Sequence, residues 1–172
     1  QPPDTAGRAQ VAVSTAELHQ RLQSLYALPA VAQAVIASTC HRTEYIVDID
    51  QPDHLHQWLQ GQHHDFDQVW PYFYSKQDEE AIGHLVALGV GLDSMVLGEP
   101  EILGQLKQAF QAARDVGAVG PTFRAIFQGV FSASKKIRHQ TAVGQDSLSM
   151  AHIVWQWARQ LYSDLSQCSL LL

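Results

Sequence analysis

Two hydrophobic periods alternate along the first half of the chain. Leu18, Leu22 and Leu25 recur at helical spacing. Ahead of them Ser14-Thr15-Ala16-Glu17 reads as a capping box, with Ser14 as N-cap and Glu17 reaching back to it. A helix is predicted to about Ala27, and Pro29 punctuates it. Ala34-Val35-Ile36-Ala37 is a short apolar run that suits a buried strand. From Tyr45 the period becomes two: Tyr45, Val47 and Ile49 fall on one face, Ile46 and Asp48 on the other, which predicts a second strand. The small, polar stretch Ser38 to Arg42 between them therefore sits at a turn or strand end. Pro52 opens a short helix through Leu55, Trp58 and Leu59 to Gly61. Residues 62–68 are polar and predicted as loop, and the aromatic-rich Trp70 to Tyr74 as a strand.

Beyond that point the pattern is helical. Residues 78–90, 101–117, 122–140 and 147–163 each carry the helical period, with breaks at Gly117, Gly120-Pro121 and Gly144. Strands mixed with helices first, and helices alone later, indicate an α+β fold. The expected form is a small, mostly antiparallel sheet with packed helices, followed by a helical subdomain and a connecting helix. The closing run Cys168 to Leu172 suits either a last strand of this domain or the first strand of a following one.

Composition narrows the class. Of 172 residues, 46 % are apolar and 16 % charged, so a packed core is expected rather than disorder. The two cysteines, Cys40 and Cys168, are far apart and form neither a C-x-x-C nor a zinc spacing, which fits a reducing cytoplasm better than a disulfide scaffold. The apolar stretches are too short to span a bilayer, and the expectation is a cytoplasmic protein with no membrane partner. The net charge of −6 argues against nucleic acid, but its distribution does not. Between residues 103 and 140, six basic residues (Lys107, Arg114, Arg124, Lys135, Lys136, Arg138) face the single acid Asp115, giving +5, while the remainder of the chain is −11. That segment suits either a phosphate-binding face or a solvated helix surface.

Two segments carry chemistry. In Ser38-Thr39-Cys40-His41-Arg42-Thr43-Glu44, a cysteine lies beside a histidine and two residues from an arginine, surroundings that favour thiolate. Arg42 could also hold a carboxylate through two parallel hydrogen bonds. The alternative is a buried, inert cysteine. The second segment runs from Gly83-His84-Leu85 through Gly89 to Gln105. It is dense in glycine and carries Ser94, Glu99 and Gln105, side chains able to position a polar ligand. It contains no Gly-x-Gly-x-x-Gly phosphate loop.

Ser38 to Glu44 is similar to the Ser-Thr-Cys-Asn-Arg-Thr-Glu signature of the glutamyl-tRNA reductase family. Gly91 to Gln105 resembles that family's Gly-Leu-Asp-Ser-hydrophobic-hydrophobic-Gly-Glu-Pro-Gln-Ile-Leu-Gly-Gln. The likeness continues through Val119-Gly120-Pro121, Ala133-Ser134-Lys135-Lys136, Arg138 and Ser147-Leu148-Ser149, and spans roughly residues 8 to 172. The resemblance implies an NADPH-dependent reduction of glutamyl-tRNA(Glu) to glutamate-1-semialdehyde, the first step of tetrapyrrole synthesis by the five-carbon route. It implies that Cys40 takes the glutamyl group as a thioester and releases tRNA, and that Arg42 anchors a substrate carboxylate. Thr39, His41 and Ser94, with Glu99, Pro100, Glu101 and Gln105, would line the glutamate pocket. His84 would polarise the carbonyl or handle a proton, where its plain alternative is a core histidine.

The resemblance also implies a domain order: a catalytic domain over 1–145, a connecting helix over 146–166, and at 167–172 the start of the NADPH-binding domain. On that basis no NADPH site and no metal are expected in this chain, which should accept the glutamyl group without reducing it. The full-length enzyme is expected to be a homodimer, with glutamate-1-semialdehyde aminomutase as a candidate partner. Three departures stand out. His41 replaces the family's Asn, Glu101 replaces its Gln, and the opening strand with its Asn-His-x-x-Ala-Pro loop is not found. Three other readings remain: a cysteine hydrolase pairing Cys40 with His84, a non-catalytic helical module binding RNA through residues 103–140, and a metal site among His54, His56, His63, His64, Asp65 and Asp67, whose spacing fits no known ligand pattern.

Overall fold

A computed structural model describes residues 15–39, 42–63, 65–92, 94, 98–99, 101–141, 143 and 159–160. Helix α1 (Thr15–Tyr26) leads into strand β1 (Val31–Ser38), which pairs antiparallel with β2 (Thr43–Ile49). Then come α2 (Pro52–Gln62), the single turn α3 (Phe66–Val69), a 3-10 turn over Trp70–Tyr72, and helices α4 (Asp78–Val90), α5 (Glu101–Asp115) and α6 (Pro121–Gln140). The result is the expected α+β class, with a two-stranded antiparallel sheet among the described residues.

Register follows from burial. β1 is buried over nearly its whole length, since α1 and α5 both pack on it, and its apolar run has no polar face to show water. Ala34 pairs with Val47, Val35 with Ile46, Ile36 with Tyr45 and Ala37 with Glu44, so Glu44 stands one residue from the end of the hairpin. Gln33 is the polar exception in β1, only 6 % exposed and hydrogen-bonded at both its amide nitrogen and its amide oxygen. Its Nε2 donates to Asp48 Oδ2 (2.7 Å), and its Oε1 accepts from the backbone N–H groups of Gly120 (2.7 Å) and Phe123 (3.0 Å). Those are the orphan donors at the start of α6, which has no side-chain cap of its own. The other edge of β1 is held at one point, where Ala34 N–H donates to Ala118 O (2.9 Å).

The helical layer packs by ordinary stripes. α6 buries Phe123, Phe127, Val130 and Ser134, and α5 buries Ile102, Leu103, Leu106, Ala109, Phe110 and Ala113. Phe110 and Phe127 stack at 4.8 Å between ring centres. α4 lies against α6 at Gly89, where an added Cβ would meet Ser134 Oγ at 2.5 Å. α4 ends on Gly91 in the left-handed region (φ +83°), whose N–H bonds back to Ala87 and Leu88, while Leu92 N–H reaches Ala87 O. Arg138 Nη1 then caps the same end by donating to Val90 O (3.0 Å) and Glu99 O (3.3 Å).

Two expectations are corrected. Trp70 to Tyr74 is not a strand: Trp70–Tyr72 is a 3-10 turn, closed by Phe73 N–H on Trp70 O (2.9 Å). Pro71 explains it, having no N–H to give a ladder and a φ suited to a helical turn. Residues 62–68 are not all loop, because Phe66 and Val69 bury themselves by forming a helical turn. The N-cap Ser14, the helix predicted over 147–163 apart from residues 159–160, Gly144 and the run 168–172 lie outside the described residues. No helix among the described residues is long and apolar enough to cross a membrane.

Candidate active site

The hairpin end is where the site begins. Ser38 Oγ and Thr43 Oγ1 lie 3.1 Å apart across its last pair. Thr39 N–H donates to Arg42 O (2.8 Å), and Arg42 N–H donates back to Thr39 Oγ1 (3.2 Å). These bonds fix the residues on either side of Cys40-His41, which lie outside the described residues, as does Pro100. The described hairpin end is thus carried on β1, buried and packed by two helices, and on the half-buried β2.

Below the tip, one carboxylate oxygen gathers three partners. Glu44 Oε1 accepts from Tyr74 Oη (3.0 Å), lies 3.2 Å from His84 Nε2, and stands 3.6 Å from Arg42 Nη1. Tyr74 Oη and His84 Nε2 are themselves 3.4 Å apart, and their rings meet edge to face at 5.7 Å. Glu44 comes from β2, His84 from the middle of α4, and Tyr74 from the extended segment between the 3-10 turn and α4. Burial by itself would raise the Glu44 carboxyl. The hydrogen bond and charge of His84, the Tyr74 hydroxyl and the Arg42 guanidinium outweigh it and hold the group below the usual carboxylate range. Glu44 is therefore an anion at neutral pH, and it directs the His84 Nε2–H toward itself.

Thr39, Arg42, Glu44, Tyr74 and His84 all line one cleft of about 1080 Å³, which runs over β2 between the α2–aromatic segment and the start of α4. Sequence reasoning had placed Thr39, Arg42 and His84 in a site. It missed Glu44 as a working group, although Glu44 closes the first motif, and it missed Tyr74. The other predicted residues lie elsewhere. Ser94 and Glu99 belong to the connection after α4, with Glu99 N–H close against Gly91. Glu101 is exposed in the first turn of α5, and Gln105 follows one turn on. None of these four lines the cleft. Among the described residues no three His, Cys, Asp or Glu side chains converge as metal ligands. His56 packs edge-on against Phe66 and Trp70 instead. In the basic segment, Lys107 lies over the Phe131 ring at 5.9 Å and Arg138 is spent on capping α4.

The described end of the hairpin thus brings Thr39, Arg42 and Glu44 onto one cleft with His84 from a packed helix, an arrangement of an α+β domain. The comparisons give the family. The family model described as Glutamyl-tRNAGlu reductase, N-terminal domain, matches residues 3–141, and the chain belongs to that family. It is 45 % identical over 153 residues to a glutamyl-tRNA reductase of Coxiella burnetii, covering 88 % of this chain and 37 % of that protein. It is 41 % identical over 170 residues to the glutamyl-tRNA reductase of Pseudomonas paraeruginosa, covering 97 % of this chain and 40 % of the relative. The chain thus spans about two fifths of the length of these relatives. The solved glutamyl-tRNA reductase of Methanopyrus kandleri shares the fold, with a TM-score of 0.70 at 21 % identity over 92 % of this chain and 37 % of that one.

Proposed function

We propose that this chain is the glutamyl-accepting part of an NADPH-dependent glutamyl-tRNA reductase, an enzyme that opens tetrapyrrole synthesis. The observation that carries the reading is the Arg42–Glu44–His84 group, gathered on one cleft directly below the hairpin end at which Cys40 stands in the sequence. The Cys40 thiolate attacks the carbonyl carbon of the glutamyl ester. A C–S bond forms, the C–O bond to the terminal ribose breaks, and the departing oxygen takes a proton. His84, oriented by Glu44, is the group in the cleft suited to hold that proton. Arg42 supplies a cation for a substrate carboxylate.

Among the described residues no strand leads through a glycine-rich turn into a helix, the arrangement that cradles a pyrophosphate. The reading gives this chain the acyl-transfer step. NADPH and the contacts of a homodimer are assigned to other parts of the enzyme. Intact-mass spectrometry of the chain mixed with glutamyl-tRNA, without NADPH, tests the reading. A thiol-labile glutamyl adduct is expected on the unmutated protein and not on Cys40→Ser. An adduct that survives Cys40→Ser would refute the assignment.

A further inference from the structure

Charge is divided between two faces of the domain. The cleft is lined by Asp48, Asp50, Asp53, Asp78 and Glu44 against Arg42 and Lys76, and no residue of α5 or α6 takes part in it. Those two helices carry the basic segment. α6 is the extreme case: it holds Arg124, Lys135, Lys136, Arg138 and His139 and not one acid in 20 residues, in a chain that has 17 acids. Arg138 is turned inward to the end of α4. Arg124, Lys135 and Lys136 are exposed and form no ion pair among the described residues. A solvated helix gains from acids three or four positions from its cations, and α6 forgoes that gain.

The three cations frame a strip of small and polar residues. Successive residues of a helix are turned by about 100°. On that wheel Arg124, Gln128, Ser132, Lys135 and Lys136 fall within about 120° of arc, opposite the buried Phe123, Phe127 and Val130. Arg124 stands at one end of the strip, and Lys135 begins the other end about 17 Å away at the rise of an α-helix. Between them Gln128 and Ser132 are exposed, and their side chains make no hydrogen bond among the described residues. Gly129 lies beside them, and a Cβ added there would meet nothing within 4 Å. Packing within the domain therefore does not require this glycine, which weakens a helix interior. Its effect is to lower the surface between the cations, so that a backbone from outside can come close.

These features select a ligand. Cations set apart from one another fit the phosphates of a polyanion. Amide and hydroxyl groups on a low surface between them suit the 2′-hydroxyls of a wide, shallow groove, which an A-form RNA duplex presents between its two backbones. A helix that lies on an anionic membrane needs large apolar side chains beside its cations, and this strip is polar or small instead. The body of a tRNA consists largely of A-form stems. We propose that the exposed face of α6 from Arg124 to Lys136 is a docking surface for duplex RNA, with the cations on phosphates and Gln128 and Ser132 over the groove between them. The acids lining the cleft repel the same backbone, so the two faces together orient the RNA. The proposal rests on the reading of the chain as a glutamyl-tRNA acceptor.

The probe is a fluorescein-labelled RNA hairpin with a duplex stem of arbitrary sequence, titrated by anisotropy against the whole chain. It carries no acyl group, so binding is read apart from chemistry. Arg124→Gln and Lys135→Gln should each weaken binding about threefold to tenfold and lower the slope of log affinity against log salt by about one. Ser132→Glu sets an anion in the middle of the strip and should weaken binding at least as much. Arg159→Gln, an exposed cation outside α5 and α6, should leave the affinity unchanged. All four positions are exposed, and thermal midpoints check that each variant folds. Equal affinity of the wild type and the Arg124→Gln/Lys135→Gln double variant overturns the proposal. A loss in Arg159→Gln as large as in Lys135→Gln does so too, because binding would then follow diffuse charge. A DNA hairpin of the same sequence that binds as tightly also overturns it, since the 2′-hydroxyls would go unread. Failure to bind RNA together with capture on vesicles of anionic phospholipid overturns it in favour of a membrane surface. The Cys40 adduct is scored separately. RNA binding that depends on α6 without an adduct leaves the docking surface standing and removes the acyl reading. An adduct formed equally fast by the double variant at limiting glutamyl-tRNA does the reverse.

Discussion

Replacing Gln33 by methionine should cost the domain about 1–3 kcal/mol. Methionine keeps the length and much of the volume of glutamine, so little of the loss can be ascribed to a cavity. What disappears is a set of three hydrogen bonds made by a side chain only 6 % exposed. Phe123 N–H is buried and would be left with no acceptor, at about 1–3 kcal/mol. Gly120 N–H is partly buried and should contribute the lower part of that range again. The apolar methionine gains back about 1 kcal/mol by its own burial. Urea unfolding checks the figure through a lower midpoint with an unchanged slope. Gln33→Glu sharpens the test. Its carboxylate could still accept from both N–H groups, but it would replace the Nε2 donor with an oxygen facing Asp48 Oδ2, now 2.7 Å away. Two carboxylates at that spacing cannot both stay ionised comfortably. Gln33→Glu should therefore be destabilised at pH 7 and recover as the pH is lowered until one of the pair holds a proton. A loss below about 0.5 kcal/mol in Gln33→Met, the scale of an ordinary surface change, or a pH-independent Gln33→Glu, would refute the role given to this side chain.

Glu44→Gln should impair adduct formation while leaving the domain folded, because the anion that orients His84 is lost; the single-turnover rate with glutamyl-tRNA measures it. The folded Glu44 carboxyl lies below the usual range, so its stabilising contribution is complete above the unfolded value and is lost as pH falls through the folded one. Urea midpoints of the wild type should accordingly drop below about pH 4.3 more steeply than those of Glu44→Gln. Gly89→Ala should cost about 1–3 kcal/mol, since its Cβ meets Ser134 Oγ at 2.5 Å, and Gly89→Ala with Ser134→Ala should recover only part, because the Ser134 Cβ is still 3.2 Å away. Gly91→Ala combines a left-handed backbone with a 2.9 Å approach to Glu99 N and should lower the thermal midpoint through the α4–α5 connection.

What the sequence revealed depended on whether a feature was local. The helical stripes of α1, α5 and α6 and the alternation in β2 repeat within a few residues, so their elements were legible. The same was true of Gln33 in hindsight, a single polar residue inside an apolar strand that must find partners if buried. The Glu44 hub was not legible, because it joins side chains 30 and 40 residues apart in the chain. Periodicity states which face a residue takes, and it carries no distance between elements that meet only in the fold. The segment from Trp70 to Tyr74 failed for another reason. Alternating aromatics suggest a half-buried strand, yet Pro71 denies the ladder, and it is the alternate residues Trp70, Tyr72 and Tyr74 that face outward while Phe73 turns to the small core. In a strand that alternation would put the large apolar face inside. Here it is outside, on the rim of the cleft that holds Arg42 and His84. Three rings kept on the surface forgo several kcal/mol of burial at about 1.5–3 kcal/mol per large side chain, so the strand pattern misleads here because Pro71 sets a turn where the ladder would have buried them.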